Sequence, residues 1–186
     1  VDDTIVSDAR LRAWQATLGY VPQDIFLTDA SISANIAFGI APERIDPEQV
    51  ERCARMAQLH DFVVTQLDRG YDTVVGERGV RLSGGQRQRI GIARALYHQP
   101  SVLVFDEATS ALDTVTERAV MEAIDALHRQ KTIILIAHRL STVERCDNIV
   151  LLDGGRIAAR GTYEELKAGD ERFRRMAAGS GKPPRL

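Results

Sequence analysis

The chain has two cysteines, Cys53 and Cys146, with no metal-ligand spacing around them. That leaves neither a disulfide framework nor a zinc site, and two reduced thiols are expected. Long apolar runs are missing as well. The longest are strand-sized, too short to span a bilayer, and no charged-then-apolar leader opens the chain. An excess of one charge is also absent: 24 Lys and Arg stand against 26 Asp and Glu, for a net charge of −2. This excludes a general attraction to nucleic acid or anionic lipid. The most consequential gap is the Gly-x-x-x-x-Gly-Lys-Ser/Thr loop, which occurs nowhere. Gly181-Lys182 is a decoy, because Met176 stands at the first glycine position and Pro183 follows the lysine.

What remains is 186 residues, 44% apolar and 27% charged. That composition suits an ordinary globular domain burying about two-thirds of its surface. The chain opens at Val1 inside an α/β pattern, so a truncated N-terminus is expected.

Thr17–Val21 reads as a short strand stopped by Pro22-Gln23. Ser31–Phe38 reads as a helix ending at Gly39. A clearer helix opens at Asp46, with Pro47 at its first position and Gln49 placed to close a capping box; Val50, Cys53, Ala54 and Ala57 form its apolar face. Ser83 begins a helix running to about Tyr97. Ser101–Phe105 and Thr132–Ala137 are continuous apolar runs, read as parallel strands covered on both faces. Between them Asp113 caps a helix striped by Val120, Ile124 and Leu127. Ile149–Leu152 and Arg156–Ala159 form a hairpin around Gly154-Gly155, and Thr162-Tyr163-Glu164-Glu165 is a capping box. Residues 171–186, basic and rich in Gly, Ser and Pro towards the end, read as a solvated tail. The strand–helix–strand order from Ser101 to Ala137 implies a right-handed parallel crossover. An α/β core over 1–24 and 100–170, with a helical subdomain inserted at 25–99, is the expected architecture.

Three groups carry chemistry. Ser83-Gly84-Gly85-Gln86 places unpaired amides and the positive end of a helix dipole where an anion can approach closely, with two side-chain donors beside them. Asp106 and Glu107 end a buried strand, at the sheet edge where ligands of open parallel sheets bind. Adjacent strand residues point apart, so one carboxylate can join a magnesium shell while the other orients or deprotonates an attacking water. His138 ends the other apolar strand, where a phosphate contact competes with an ordinary backbone-satisfied histidine. Gln23 alone reads as a turn glutamine.

At these residues the chain closely resembles the nucleotide-binding domain of ATP-binding cassette (ABC) transporters. Val21-Pro22-Gln23 resembles the Q-loop, and Leu82–Gln86 the family signature. Val102–Asp106 resembles the Walker B strand, with Glu107 as the adjoining catalytic acid. Ser110-Ala111-Leu112-Asp113 resembles the D-loop, and His138 falls at the switch histidine. The loop Thr73–Gly79, with Glu77 at its centre, is similar to the exporter-type loop that meets the membrane domains. The resemblance covers the chain to about Leu166.

It implies a P-loop NTPase-type parallel core, here incomplete because the Walker A segment lies upstream. It implies ATP and Mg2+ as ligands. Glu107, His138 and Gln23 would be catalytic, with Asp106 and Gln23 at the metal. Ser83, Gly84, Gly85, Gln86 and Asp113 would serve nucleotide, with Ser83, Gly85 and Gln86 acting across a head-to-tail dimer with a second such domain and Asp113 linking the two sites. Transmembrane domains would dock near Gln23 and Glu77, at the cytoplasmic face of a membrane, a bacterial inner membrane being expected. ATP-driven export or flipping is the implied function, with no nucleic acid as partner.

Two rival classes stand beside it: a soluble ABC ATPase of the DNA-repair or translation type, and a cassette that only clamps a partner. The Glu77 loop and the balanced charge oppose the first, and the presence of Glu107, His138 and the signature opposes the second. Without the Walker A contacts, roughly four or five charge-assisted hydrogen bonds of about 1.5–3 kcal/mol are missing. Their sum rivals the ~8 kcal/mol of a micromolar ligand. The isolated chain is therefore expected to bind ATP poorly, to turn none over, and to be marginally stable with a bare strand edge.

Overall fold

The computed structural model describes residues 4–76, 82–108, 114–127 and 130–178, the side chains of 114–116 excepted. Two compact units divide after Ile136.

The first unit holds helices α1 (Asp8–Gln15), α2 (Ile32–Ile36), α3 (Pro47–Met56), α4 (His60–Gln66), α5 (Gly84–Tyr97) and α6 (Thr114–Leu127), and strands β1 (Leu18–Val21), β2 (Val102–Asp106) and β3 (Thr132–Ile136). The strands form one sheet in the order β1-β2-β3, with every pairing parallel. Rows run Leu18–Val102–Thr132 through Val21–Phe105–Leu135, and Asp106 pairs with Ile136.

One face of this sheet is packed. Val21, Leu103 and Phe105 are buried with Ile90, Ile92 and Ala93 of α5 and Val120, Ile124 and Leu127 of α6. On the other face Tyr20, Ile134 and Ile136 are 56%, 48% and 48% exposed, and Val102 and Val104 are half-buried. The expectation of strands covered on both faces is thus corrected for β2 and β3. An unbroken Ile/Leu/Val run reports apolar character but not which side meets helices.

Local signals set the helix starts. Ser31 Oγ accepts from Ala34 N ahead of α2, and Gly39, with φ of +86°, turns the chain just beyond that helix. Asp46 accepts from Glu48 N and Gln49 N. Gln49 does not close the expected box, because the Tyr97 hydroxyl, at 3.1 Å, takes the Asp46 amide. Gln49 reaches instead to the Tyr97 carbonyl at 3.2 Å, tying α3 to the end of α5. Val50, Cys53, Ala54 and Ala57 are all buried, as their spacing predicts.

The turn after Gln23 is locked to α5 through Asn35, which is fully buried. Its amide donates to the carbonyls of Thr28, Ala30 and Ser31, and its Oδ1 accepts from Thr28 N and Arg94 Nη2. Arg94 also reaches the Phe26 carbonyl at 2.9 Å and lies 4.8 Å over the Phe38 ring.

The second unit holds α7 (Leu140–Val143), the antiparallel pair β4 (Ile149–Asp153) and β5 (Arg156–Gly161), α8 (Tyr163–Gly169) and α9 (Glu171–Ala178). Gly154 and Gly155 both have positive φ, which a two-residue hairpin turn of this kind requires. The Thr162–Glu165 capping box forms as predicted. Residues 171–178 are a helix, not the solvated tail expected from composition. Phe173 is buried with Leu140 and Leu166 and meets Tyr163 edge to face, while Asp170 caps its amide. A single docked aromatic outweighs the surrounding arginines.

Candidate nucleotide site

Phe105 points into the core, so Asp106 points to the opposite face of β2, the face that carries Val104 and its row partner Tyr20. The phenol of Tyr20 donates to Asp106 Oδ2 at 2.8 Å. That hydrogen bond, then modest desolvation and then the charge of Asp106, hold the Tyr20 phenol above its ordinary 10.0.

Glu107 breaks the alternation. Its amide still donates to the Ile136 carbonyl at 2.9 Å, extending the ladder by one residue, but its φ is +48°. Gln58 and Gln99 share a positive φ among the non-glycine residues described, and both follow helix ends where that conformation is routine. Glu107 follows a strand. Such a left-handed residue costs about 1–3 kcal/mol and is held by its surroundings. The turn sends its carboxylate to Gln23, whose Nε2 donates to Oε2 at 3.1 Å.

Two donors three residues apart at the end of β1 therefore engage the two neighbouring acids, Tyr20 on Asp106 and Gln23 on Glu107. Sequence reasoning placed Gln23, Asp106 and Glu107 here and missed Tyr20. The signal available was strand parity, which puts Tyr20 on the Asp106 side once β1 and β2 are paired in register.

At the start of α5, Ser83 and Gly84 are exposed, Gln86 is half-buried and Gly85 is buried. Ser83 Oγ accepts from Gln86 N at 3.2 Å, and Gln86 Oε1 accepts from Ser83 N at 2.8 Å. This capping box uses acceptor oxygens of both side chains. The Ser83 hydroxyl proton and the Gln86 amide protons are not needed for it, so the two side chains can cap the helix and still offer donors to an anion.

His138 lies in the second unit, exposed, between β3 and α7. Asp113 and Glu77 lie outside the described residues. Among the described residues no group of three or more His, Cys, Asp or Glu side chains could hold a metal alone. Asp106, with one oxygen engaged by Tyr20, fits the single carboxylate that magnesium takes when phosphates and waters complete its shell.

Comparison with known proteins finds relatives of one family. The model of the ABC transporter family matches residues 1–110. An ATP-dependent lipid A-core flippase of Cupriavidus pinatubonensis is 46% identical over 169 residues, covering 90% of this chain and 28% of the flippase. ABC transporter B family member 22 of Arabidopsis thaliana is 46% identical over 168 residues, covering 90% of this chain and 14% of that protein. The solved structure of a bacterial Atm1-family ABC exporter with ATP bound superposes with a TM-score of 0.80 at 42% identity, covering 92% of this chain and 30% of the exporter. The chain thus spans less than a third of the length of each of these relatives. With its α/β fold, its paired acids and its capped glycine-rich helix, the chain belongs to the ABC transporter family.

Proposed function

We propose that this chain is part of the ATP-hydrolysing domain of an exporter-type ABC transporter, and that the complete protein uses ATP to export or flip a substrate across a membrane. The contact between Gln23 and Glu107 carries this reading, because it holds a carboxylate at the strand end beside a second, separately held acid. The relatives' names support export over a soluble role: a lipid A-core flippase and an Atm1-family exporter.

In this reading Glu107 orients the attacking water and takes its proton, with Gln23 fixing the carboxylate. Asp106, and Gln23 with it, would hold the Mg2+ that accompanies ATP. When bound, that ion neutralises charge developing on the phosphates. His138 donates to the terminal phosphate. Ser83, Gly84, Gly85 and Gln86 present amides and side-chain donors to nucleotide held by a second, head-to-tail copy of the domain, and Asp113 links the two sites. Membrane domains dock near Gln23 and Glu77, on the cytoplasmic side.

Mixed dimers of the complete protein test the cross-subunit assignment. With Ser83→Asp on one subunit and Glu107→Gln on the other, one intact site remains, and turnover is retained at about half or less. With both substitutions on one subunit, both sites are damaged and turnover is lost. The reverse pattern would show that signature and base serve the same nucleotide within one subunit.

A further inference from the structure

Tyr20 belongs to none of the motifs recognised in the sequence, yet its hydroxyl is 2.8 Å from the acid assigned to the metal. A strand-end carboxylate retains rotation about its side-chain bonds, and a cation is held well only if that freedom is removed beforehand. Tyrosine suits the task. Its ring moves on two torsions, its backbone is fixed by the pairing with Val104, and its O–H donates to a single oxygen. Donation to Oδ2 leaves Oδ1 for the water shell of a divalent cation.

We propose that Tyr20 is a positioning residue for Asp106, orienting its carboxylate for the cation that accompanies ATP. The inference rests on the reading of Asp106 given above, and its test separates the two. In the complete protein, Mn2+ binding in the presence of a non-hydrolysable ATP analogue is followed by electron paramagnetic resonance for wild type, Tyr20→Phe and Asp106→Asn. Turnover is followed in parallel as a function of Mg2+.

The expected result is an apparent Mn2+ dissociation constant raised about three- to tenfold in Tyr20→Phe, a part of the worth of a hydrogen bond to a charged group, because Asp106 keeps its charge and loses only its orientation. The Mg2+ concentration for half-maximal turnover rises by a similar factor, and excess Mg2+ restores the wild-type kcat. Unchanged Mn2+ affinity in Tyr20→Phe, with loss in Asp106→Asn, overturns the role of Tyr20 alone. A rate that excess Mg2+ does not restore also overturns it, since a damaged fold is not repaired by metal. Unchanged affinity in Asp106→Asn overturns the metal assignment and the inference together.

Discussion

Arg94 donates to Asn35 twice, from Nε to the main-chain oxygen at 2.9 Å and from Nη2 to Oδ1 at 3.2 Å. The residues are 59 positions apart, and the contact ties the segment following Gln23 to the helix that begins at Ser83. Burial lowers the pKa of Arg94 below its ordinary value, which marks the guanidinium as partly desolvated and dependent on these acceptors. Asn35→Ala strips partners from the Thr28 amide, three carbonyls and Arg94 at once. It should destabilise the chain by about 3–4 kcal/mol, read as a lowered midpoint in urea unfolding.

In the proposed reading the start of α5 serves stability and chemistry through different atoms, and substitutions separate them. Ser83→Ala removes the cap and should cost about 1 kcal/mol. Ser83→Asp keeps a capping oxygen, so the unfolding midpoint should stay near wild type. The same aspartate sets a negative charge before the phosphate and should abolish turnover in the complete protein. Thermal melts beside ATPase assays check the pair.

Gly19 shows how closely β1 and α5 approach. A Cβ there would lie 2.7 Å from Leu103 Cδ2 and 2.8 Å from both the Ala95 carbonyl oxygen and Pro100 Cγ. Because one of these is backbone, relief requires α5 to move. Gly19→Ala should destabilise by about 1–3 kcal/mol. Gly169→Ala, with nothing within 4 Å, should be neutral or slightly stabilising in the same unfolding assay.

What the sequence disclosed was local. The helix start at Ser31, the caps at Asp46 and Thr162, the turn at Gly154-Gly155 and the glycine-rich start of α5 are written within four or five residues, and each formed. The acids at 106 and 107 were legible because an apolar run ends on them. The contacts that escaped depend on pairing across the fold. Tyr20 meets Asp106 over 86 positions, and Tyr97 displaces Gln49 from the Asp46 amide over 51. The open face of β3 escaped for a related reason, since Ile133 packs on the core while Ile134 does not, though both are isoleucine. Helix α9 was hidden by its arginines, and the docking of Phe173 decided it.

Cys53 contributes to the alkaline limb of stability. It is 1% exposed, and burial pushes its thiol up from 9.0 to about 11, with Arg52, the Gln49 amide and Lys131 opposing. The folded state favours the neutral thiol. Its contribution is therefore complete below pH 9.0 and is lost as pH rises through about 11. Relative to Cys53→Ala, the wild-type chain should lose about 2–3 kcal/mol across that interval. Alkylation near neutrality should modify the half-buried Cys146 before Cys53.

Single-turnover hydrolysis by Glu107→Gln in the complete protein tests the central claim most directly. If Glu107 is the base held by Gln23, the hydrolysis rate falls by about 10²–10⁴-fold while ATP binding is retained. A rate within a few-fold of wild type, with binding intact, would contradict the account.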